Sequence, residues 1–298
     1  MEPGAVKFSS LSSLGAAGTA TLTKKGGSSS RGARPGGRKA WVAATLFLFI
    51  SIVGTAAAIN LSPAETRRIG KKIWQNECGG TLAGLTSWNS GENFASLGIG
   101  HFIWYPRGGR GPFEESFPRL VDFVAGRGAR LPEVLIPKGS CPWNSRGEFN
   151  QASQTVRMKE LRQFLANTVD LQAAFLVERL QKALPKMVDE AAPARRERVR
   201  QQFERVAASP GGYYALVDYV NFKGEGVLAT ERYAGQGWGL LQVLEGMSPE
   251  SADRDAVKNF AESAKRILTN RVRNAPPERS EGRWLPGWLS RINTYVQR

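Results

Sequence analysis

From Phe94 to Tyr105 the chain alternates with a period of two, a spacing that suits a strand and not a helix. Ala95, Leu97, Ile99, His101 and Ile103 fall on one face, and Ser96, Gly98 and Gly100 on the other. Most of the chain beyond residue 60 repeats with a helical period, so this stretch sets the fold class: α+β, mainly α, with one small antiparallel hairpin or sheet. The Ser-Gly-Gly face is nearly bare. Glycine inside a strand weakens it and marks a place where a ligand or another backbone comes close. Gly98 and Gly100 therefore read as the floor of a cleft.

The segment before it is a well-specified helix. Ser62, Pro63 and Glu65 form a capping box with proline at the first helical position. Ile69, Ile73 and Trp74 make the apolar stripe, and the pattern runs to Asn76. Glu77 then projects from the helix end over the hairpin. Apolar neighbours such as Trp74 and Trp88 would desolvate its carboxyl, raise its pKa and keep it protonated. The competing reading is a helix-terminal carboxylate in a salt bridge with an arginine.

Past the hairpin, Arg107 to Pro112 is a basic, glycine-rich loop, and Phe113 to Val124 reads as a short helix with Phe117, Leu120 and Val121 inward. Residues 126–147 read as irregular chain against the core. Glu148 to Ser209 is helical by period, with Leu161, Phe164, Leu165, Leu171, Phe175, Leu176, Leu180 and Leu184 as core positions and Pro185 able to end or kink the helix. A last amphipathic helix covers Ala256 to Val272, and an arginine-bearing helix after the Trp284 to Trp288 turn packs back on the domain. No repeat or linker divides residues 59–298, which read as one domain.

Residues 1–39 hold seven lysines and arginines against the single Glu2, so about +9 of the formal net charge of +15 belongs to the remainder. Their composition cannot bury enough surface to offset the entropy of ordering. Residues 40–58 join a basic flank, an apolar run and small residues, the three parts of a secretory signal. An uncleaved anchor in the inner membrane is the alternative. Either reading places the C-terminal part outside the cytoplasm, in a periplasmic or other extracytoplasmic space. In such a compartment Cys78 and Cys141, the only two cysteines, are expected to form a disulfide, or else remain two buried thiols.

A Glu at the end of the first helix, followed by a hairpin carrying Ser/Thr-x-Gly-x-Gly-His, resembles the phage-type lysozymes, which cleave the glycan strands of peptidoglycan. Here the motif is Ser96-Leu97-Gly98-Ile99-Gly100-His101, and the resemblance covers Glu77 to Tyr105. It implies a lysozyme-like two-lobed domain, with Glu77 as general acid and Ser96 in the position beside the attacking water. The family's second carboxylate, an Asp ahead of that position, falls on Ser90. The nearest carboxylate is Glu92, readable as a base or as a turn residue; Glu225 or Glu231 could supply the group from the other lobe. His101 reads as a fold residue.

Tyr213 to Leu244 is faintly similar to the Gly-Leu-Met-Gln element of lytic transglycosylases. Asn221, Glu225, Tyr233, Gln236 and Trp238 are residue types that bind sugars, while the plainer reading is a glycine-rich helix junction with Trp238 in the core. The basic run Ala194 to Val206 is a solvated helix face or a patch for anionic glycan or membrane. Nucleic acid would suit the charge but not an exported chain. No nucleophile elbow, phosphate loop or metal-ligand cluster is present, and a single histidine argues against a zinc hydrolase. The expectation is a monomeric muramidase-like hydrolase without cofactor or metal, acting on peptidoglycan glycan strands. Its alternative is a non-catalytic glycan- or partner-binding protein on the same scaffold.

Overall fold

The structure is a computed structural model and describes residues 59–297 except 112, 137 and 250–254. The expected basic segment 1–39 and the signal or anchor at 40–58 lie outside the described residues, so the possible membrane association falls there too. Among the described residues no helix is long and apolar enough to cross a membrane.

The domain is mainly helical, with one three-stranded antiparallel sheet and one two-stranded hairpin. Helix α1 (Pro63–Cys78) begins at the expected capping box: Ser62 Oγ accepts from Glu65 N, and the Glu65 side chain accepts from Ser62 N. It runs past Asn76, so Glu77 lies in its last turn. The sheet comes next, as β1 (Thr86–Ser87), β2 (Ala95–Leu97) and β3 (Phe102–Trp104). Then come α2 (Phe117–Ala125), α3 (Arg146–Gln151), α4 (Val156–Asn167), α5 (Val169–Glu190), α6 (Arg196–Ala207) and α7 (Gly212–Lys223). The hairpin β4 (Arg232–Tyr233) and β5 (Gln236–Gly237) leads to α8 (Leu240–Gly246), α9 (Ala256–Asn274) and α10 (Leu285–Asn293).

The 22-residue α5 is the central support, packing against α1, α2, α6 and α7. Pro185 lies within it, on the exposed side, and does not end it: the helix continues to Glu190. Leu161, Leu165, Phe175, Leu176 and Leu180 are buried as the period required, while Phe164, Leu171 and Leu184 are partly buried at the margin. Helix α1 comes close to α5 at Gly70, where a β-carbon would meet Val169 and Ala173 at 3.0 and 3.1 Å. Helix α7 is apolar almost all round and accordingly buried. The single strand expected through Phe94 to Tyr105 is in fact two strands.

Residues 98–101 form the turn between β2 and β3. Leu97 pairs with Phe102, Ser96 with Ile103 and Ala95 with Trp104. Gly98 and His101 both take positive φ, at 72° and 48°. Histidine is among the non-glycine residues that tolerate this region. The turn reverses the side-chain parity, so Ile103 shares the face of Ser96, not that of Leu97. The signal was the appearance of Phe102 and Trp104 at even positions after Leu97 and Ile99 at odd ones.

The expected disulfide is also absent: Cys78 and Cys141 are both free and buried. The Cys78 thiol donates to Gly98 O at 3.5 Å, whereas Cys141 is held by its backbone, its N–H donating to Tyr105 O at 2.9 Å. Burial pushes the Cys141 thiol up to about 12, far from the thiolate form that disulfide exchange requires.

A single 3-10 turn at Ala83–Leu85 seats the end of α1 against the sheet. A β-carbon on Gly84 would lie 2.2 Å from Cys78 O, a backbone atom that cannot swing away. Gly84→Ala should therefore lower stability by about 1–3 kcal/mol, the usual range for overpacking. Urea denaturation measures it, and an unchanged midpoint would mean that the helix end is free to shift.

Candidate active site

Glu77 is the convergence point of four segments distant in sequence. Its side chain is only 8 % exposed. Oε1 accepts from Arg291 Nη2 at 2.6 Å and from Asn221 Nδ2 at 3.1 Å. Oε2 lies 3.5 Å from Nδ1 of His101. The ring's Nε2 is 3.8 Å from the Cys78 sulfur. Helix α1 thus supplies the carboxylate, α7 the amide, α10 the guanidinium and the β2–β3 turn the imidazole.

Arg291 is itself divided between two carboxylates. Its Nε and Nη2 donate to the two oxygens of Asp218, each at 2.8 Å, while Nη2 also serves Glu77. Asp218 is fully buried. Its remaining acceptor sites take Tyr295 Oη at 2.7 Å and Asn76 Nδ2 at 3.2 Å. Tyr214 closes the ring of contacts, accepting from Asn76 at 2.8 Å and meeting Thr294 Oγ1 at 2.7 Å.

This network corrects the expected electrostatics of Glu77. Burial alone would raise its pKa, but Arg291 and then His101 outweigh burial and hold the carboxyl well below the usual carboxylate range. Burial would likewise deprotonate His101, yet its contacts with Cys78 and Glu77 push it up to about 10. Both shifts favour the imidazolium–carboxylate form of the pair. The indoles of Trp74 and Trp88 donate instead to Thr81 O at 3.1 Å and Glu92 O at 2.8 Å. The salt-bridge alternative for Glu77 is the one the structure bears out, with an arginine from the far end of the chain.

Glu92 lies in the loop between β1 and β2, with Oε2 accepting from Asn89 Nδ2 at 3.1 Å. Its environment acts in the opposite direction: burial raises its pKa, and Asn89 and the charge on His101 offset that only in part. Ser96 is 4 % exposed in the middle strand, between Ser87 and Ile103. Gly98 and Gly100 are not a bare floor. A β-carbon on Gly98 would lie 2.4 Å from Gln172 Oε1, and one on Gly100 would meet Phe102 at 2.8 Å and Asn221 Oδ1 at 3.1 Å. The glycines let the turn thread between α5 and α7, where Gln172 accepts from Ile99 N at 2.9 Å.

Among the other sugar-binding candidates, only Asn221 touches Glu77. Glu225 pairs with Lys186 at 3.0 Å. Glu231 accepts from Gly226 N and Leu228 N, closing its own loop. Tyr233 Oη donates to Glu281 at 2.9 Å, and exposed Gln236 accepts from Asn274 at 3.1 Å. Trp238 is 3 % exposed, with Arg271 over its ring at 4.0 Å, so the core reading holds for it. The basic run at the start of α6 is a solvent-exposed face whose arginines are also paired: Arg195 with Glu245 and Arg200 with Glu197, while Arg196 donates to Ala191 O and Asp189 O and Arg198 to Met247 O. Among the described residues no group of three or more His, Cys, Asp or Glu could hold a metal ion.

Sequence reasoning missed Arg291, Asp218 and Gln172. Two of them carry a readable signal. Arg291 shares a face with Trp288, Ile292 and, just past the helix end, Tyr295, and Asp218 is the lone acid in the mostly apolar α7. A charge on a buried face requires a partner. No protein-family model matches this chain, and no curated protein or solved structure matches it.

Replacing Arg291 by Met leaves Glu77 and Asp218 buried without their cation, a change expected to cost about 3–5 kcal/mol. Calorimetric melting at pH 7 reads it, and a loss below 1 kcal/mol would mean that water enters the cluster. The His101 contribution has its own pH signature. Its raised pKa makes the stabilisation complete below pH 6.5 and lost as pH rises from 6.5 to about 10. Relative to His101→Asn, which tolerates the left-handed backbone, the wild type should lose its advantage across that window. Parallel stability curves would show that the imidazole is neutral.

Proposed function

We propose that this protein is an exported hydrolase of peptidoglycan glycan strands, built on a lysozyme-like two-lobed domain and working as a monomer without cofactor. The observation that carries the proposal is the pair of carboxylates whose environments push them apart. Glu77 is fixed and ionised at the rim of the hairpin, and Glu92, one loop away and within the field of the same His101, is pushed towards the protonated form. Glycosidic cleavage needs one protonated carboxyl at the leaving oxygen and one carboxylate to attack, activate water or stabilise the oxocarbenium ion.

On this reading the roles are exchanged relative to the resemblance. Glu92 donates the proton to the leaving oxygen. Glu77, oriented by Arg291, Asn221 and His101, supplies the negative charge. Ser96, on the middle strand of the sheet, orients the water. The motif Ser96 to His101 supports the reading, and so does the export-type segment at 40–58, which would deliver the enzyme to the cell wall.

A second reading, a non-catalytic glycan- or partner-binding scaffold, is favoured by one observation: both oxygens of Glu77 are already engaged. Release of soluble glycan fragments by the full chain from purified peptidoglycan, both intact and stripped of its peptides by an amidase, analysed by mass, separates the two. Wild type should release products, and Glu77→Gln and Glu92→Gln should each be slower by at least ~100-fold. Full activity in Glu92→Gln with loss in Glu77→Gln would return the donor role to Glu77. A folded wild type that binds the wall and releases nothing would establish the scaffold reading.

A further inference from the structure

Lys223 stands two residues beyond Asn221 at the end of α7 and is 8 % exposed. Among the described residues its Nζ makes no hydrogen bond and no ion pair. It lies 4.0 Å from the centre of the Phe222 ring and 3.4 Å from that of Trp288. Arg291 lies against the same Phe222 ring at 4.2 Å, and Arg271 against the same Trp288 ring at 5.1 Å. The amine is therefore flanked by two buried ion pairs, the Arg291 cluster on one side and Arg271 with Glu281, at 2.7 and 2.8 Å, on the other.

Arg291 carries a second open donor. Its Nε and Nη2 are filled, but its buried Nη1 has no hydrogen-bond partner among the described residues. Buried polar groups are nearly always satisfied, and an orphan beside a catalytic candidate points to a missing acceptor. The charge balance points the same way. Arg271, Arg291 and the imidazolium of His101 are matched by Glu77, Asp218 and Glu281. Protonating Lys223 adds one positive charge that nothing in the cluster matches. Burial, then Arg271, lowers its pKa well below the ordinary value, with Arg291 adding to this and Glu281 and Glu77 opposing it. One incoming monoanion, taken up with one proton, restores neutrality and offers acceptors to both open donors.

We propose that Lys223 and Arg291 form a carboxylate-binding subsite beside Glu77, and that its occupant is the free lactyl carboxylate of a muramyl residue whose peptide has been removed. The identity of the sugar rests on the glycan-cleaving reading of Glu77. In a peptide-bearing strand the lactyl carboxyl is an uncharged amide; in a stripped strand it is a monoanion next to the glycosidic bonds. The subsite makes the protein a selector of stripped strands. The reaction that supplies its substrate is then the hydrolysis of the amide joining peptide to lactyl group.

The test is titration calorimetry of the full chain with N-acetylmuramic acid, its lactyl amide and N-acetylglucosamine, in buffers of different ionisation enthalpy. Wild type should bind the acid at least tenfold more tightly than the other two, with net proton uptake, and more weakly as pH rises. Lys223→Met keeps the linear apolar shape, and it should bring the acid down to the level of the amide. An acid bound no better than its amide by wild type would overturn the subsite without recourse to any variant. Undiminished binding by Lys223→Met would do the same. Acetate or inorganic phosphate bound as tightly as the acid would overturn the muramyl assignment. Because this readout needs no bond cleavage, selective binding without release of saccharides from amidase-stripped glycan strands would sink the hydrolase reading and leave the subsite standing.

Discussion

The guanidinium of Arg291, shared between Asp218 and Glu77, is the contact on which the arrangement of the domain depends. Three charged groups removed from water are tolerable only when each is paired and its remaining hydrogen bonds are made. Asp218 meets that condition through Arg291, Tyr295 and Asn76. Asn76 comes from α1, and Arg291 and Tyr295 from α10 and the turn just past it, so the cluster fixes α1, α7 and α10 together. The first and last helices of the domain are joined across 214 residues of sequence. A carboxylate held this way can keep one orientation without a rigid loop around it.

The β2–β3 turn adds the other half of the constraint. Gly98 and His101 adopt left-handed backbone angles, and the turn backbone passes within contact of Gln172 and Asn221. That position aims the His101 ring at Glu77 and at Cys78 together. The ion pair with Glu77 and the sulfur contact with Cys78 raise the imidazole's proton affinity against the opposing effect of burial. The same geometry makes Cys78 a packing thiol against the turn. Its sulfur is already committed to the turn it supports.

A second cluster, Arg271 with Glu281 among Tyr233, Trp238 and Trp288, repeats the pattern of a buried arginine against a carboxylate and aromatic faces. Such contacts between a cation and a ring gain strength when desolvated. Lys223 is the shared element between the two clusters and the member without a carboxylate of its own. Of the residues of Tyr213 to Leu244 that resemble a sugar-binding set, Tyr233 and Trp238 hold this second cluster, Asn221 serves Glu77, and Glu225 and Gln236 are tied to Lys186 and Asn274.

Local chemistry was legible in the sequence. The capping box fixed the start of α1, helical periods located the apolar faces of α2, α4, α5 and α9, and the placement of Glu77 before a hairpin came from adjacent residues. These features depend on contacts within a few positions, which spacing alone records. The turn inside the hairpin was misread, because alternation counts side chains and does not register the change of backbone hand at Gly98. The partners of Glu77 could not be read either. Which arginine reaches a buried carboxylate depends on how α10 returns to α1, and that is decided by the packing of the intervening helices. Only the tertiary structure therefore determined that Glu77 is ionised, that Cys78 and Cys141 stay apart, and that Lys223 is left between two ion pairs with no anion of its own.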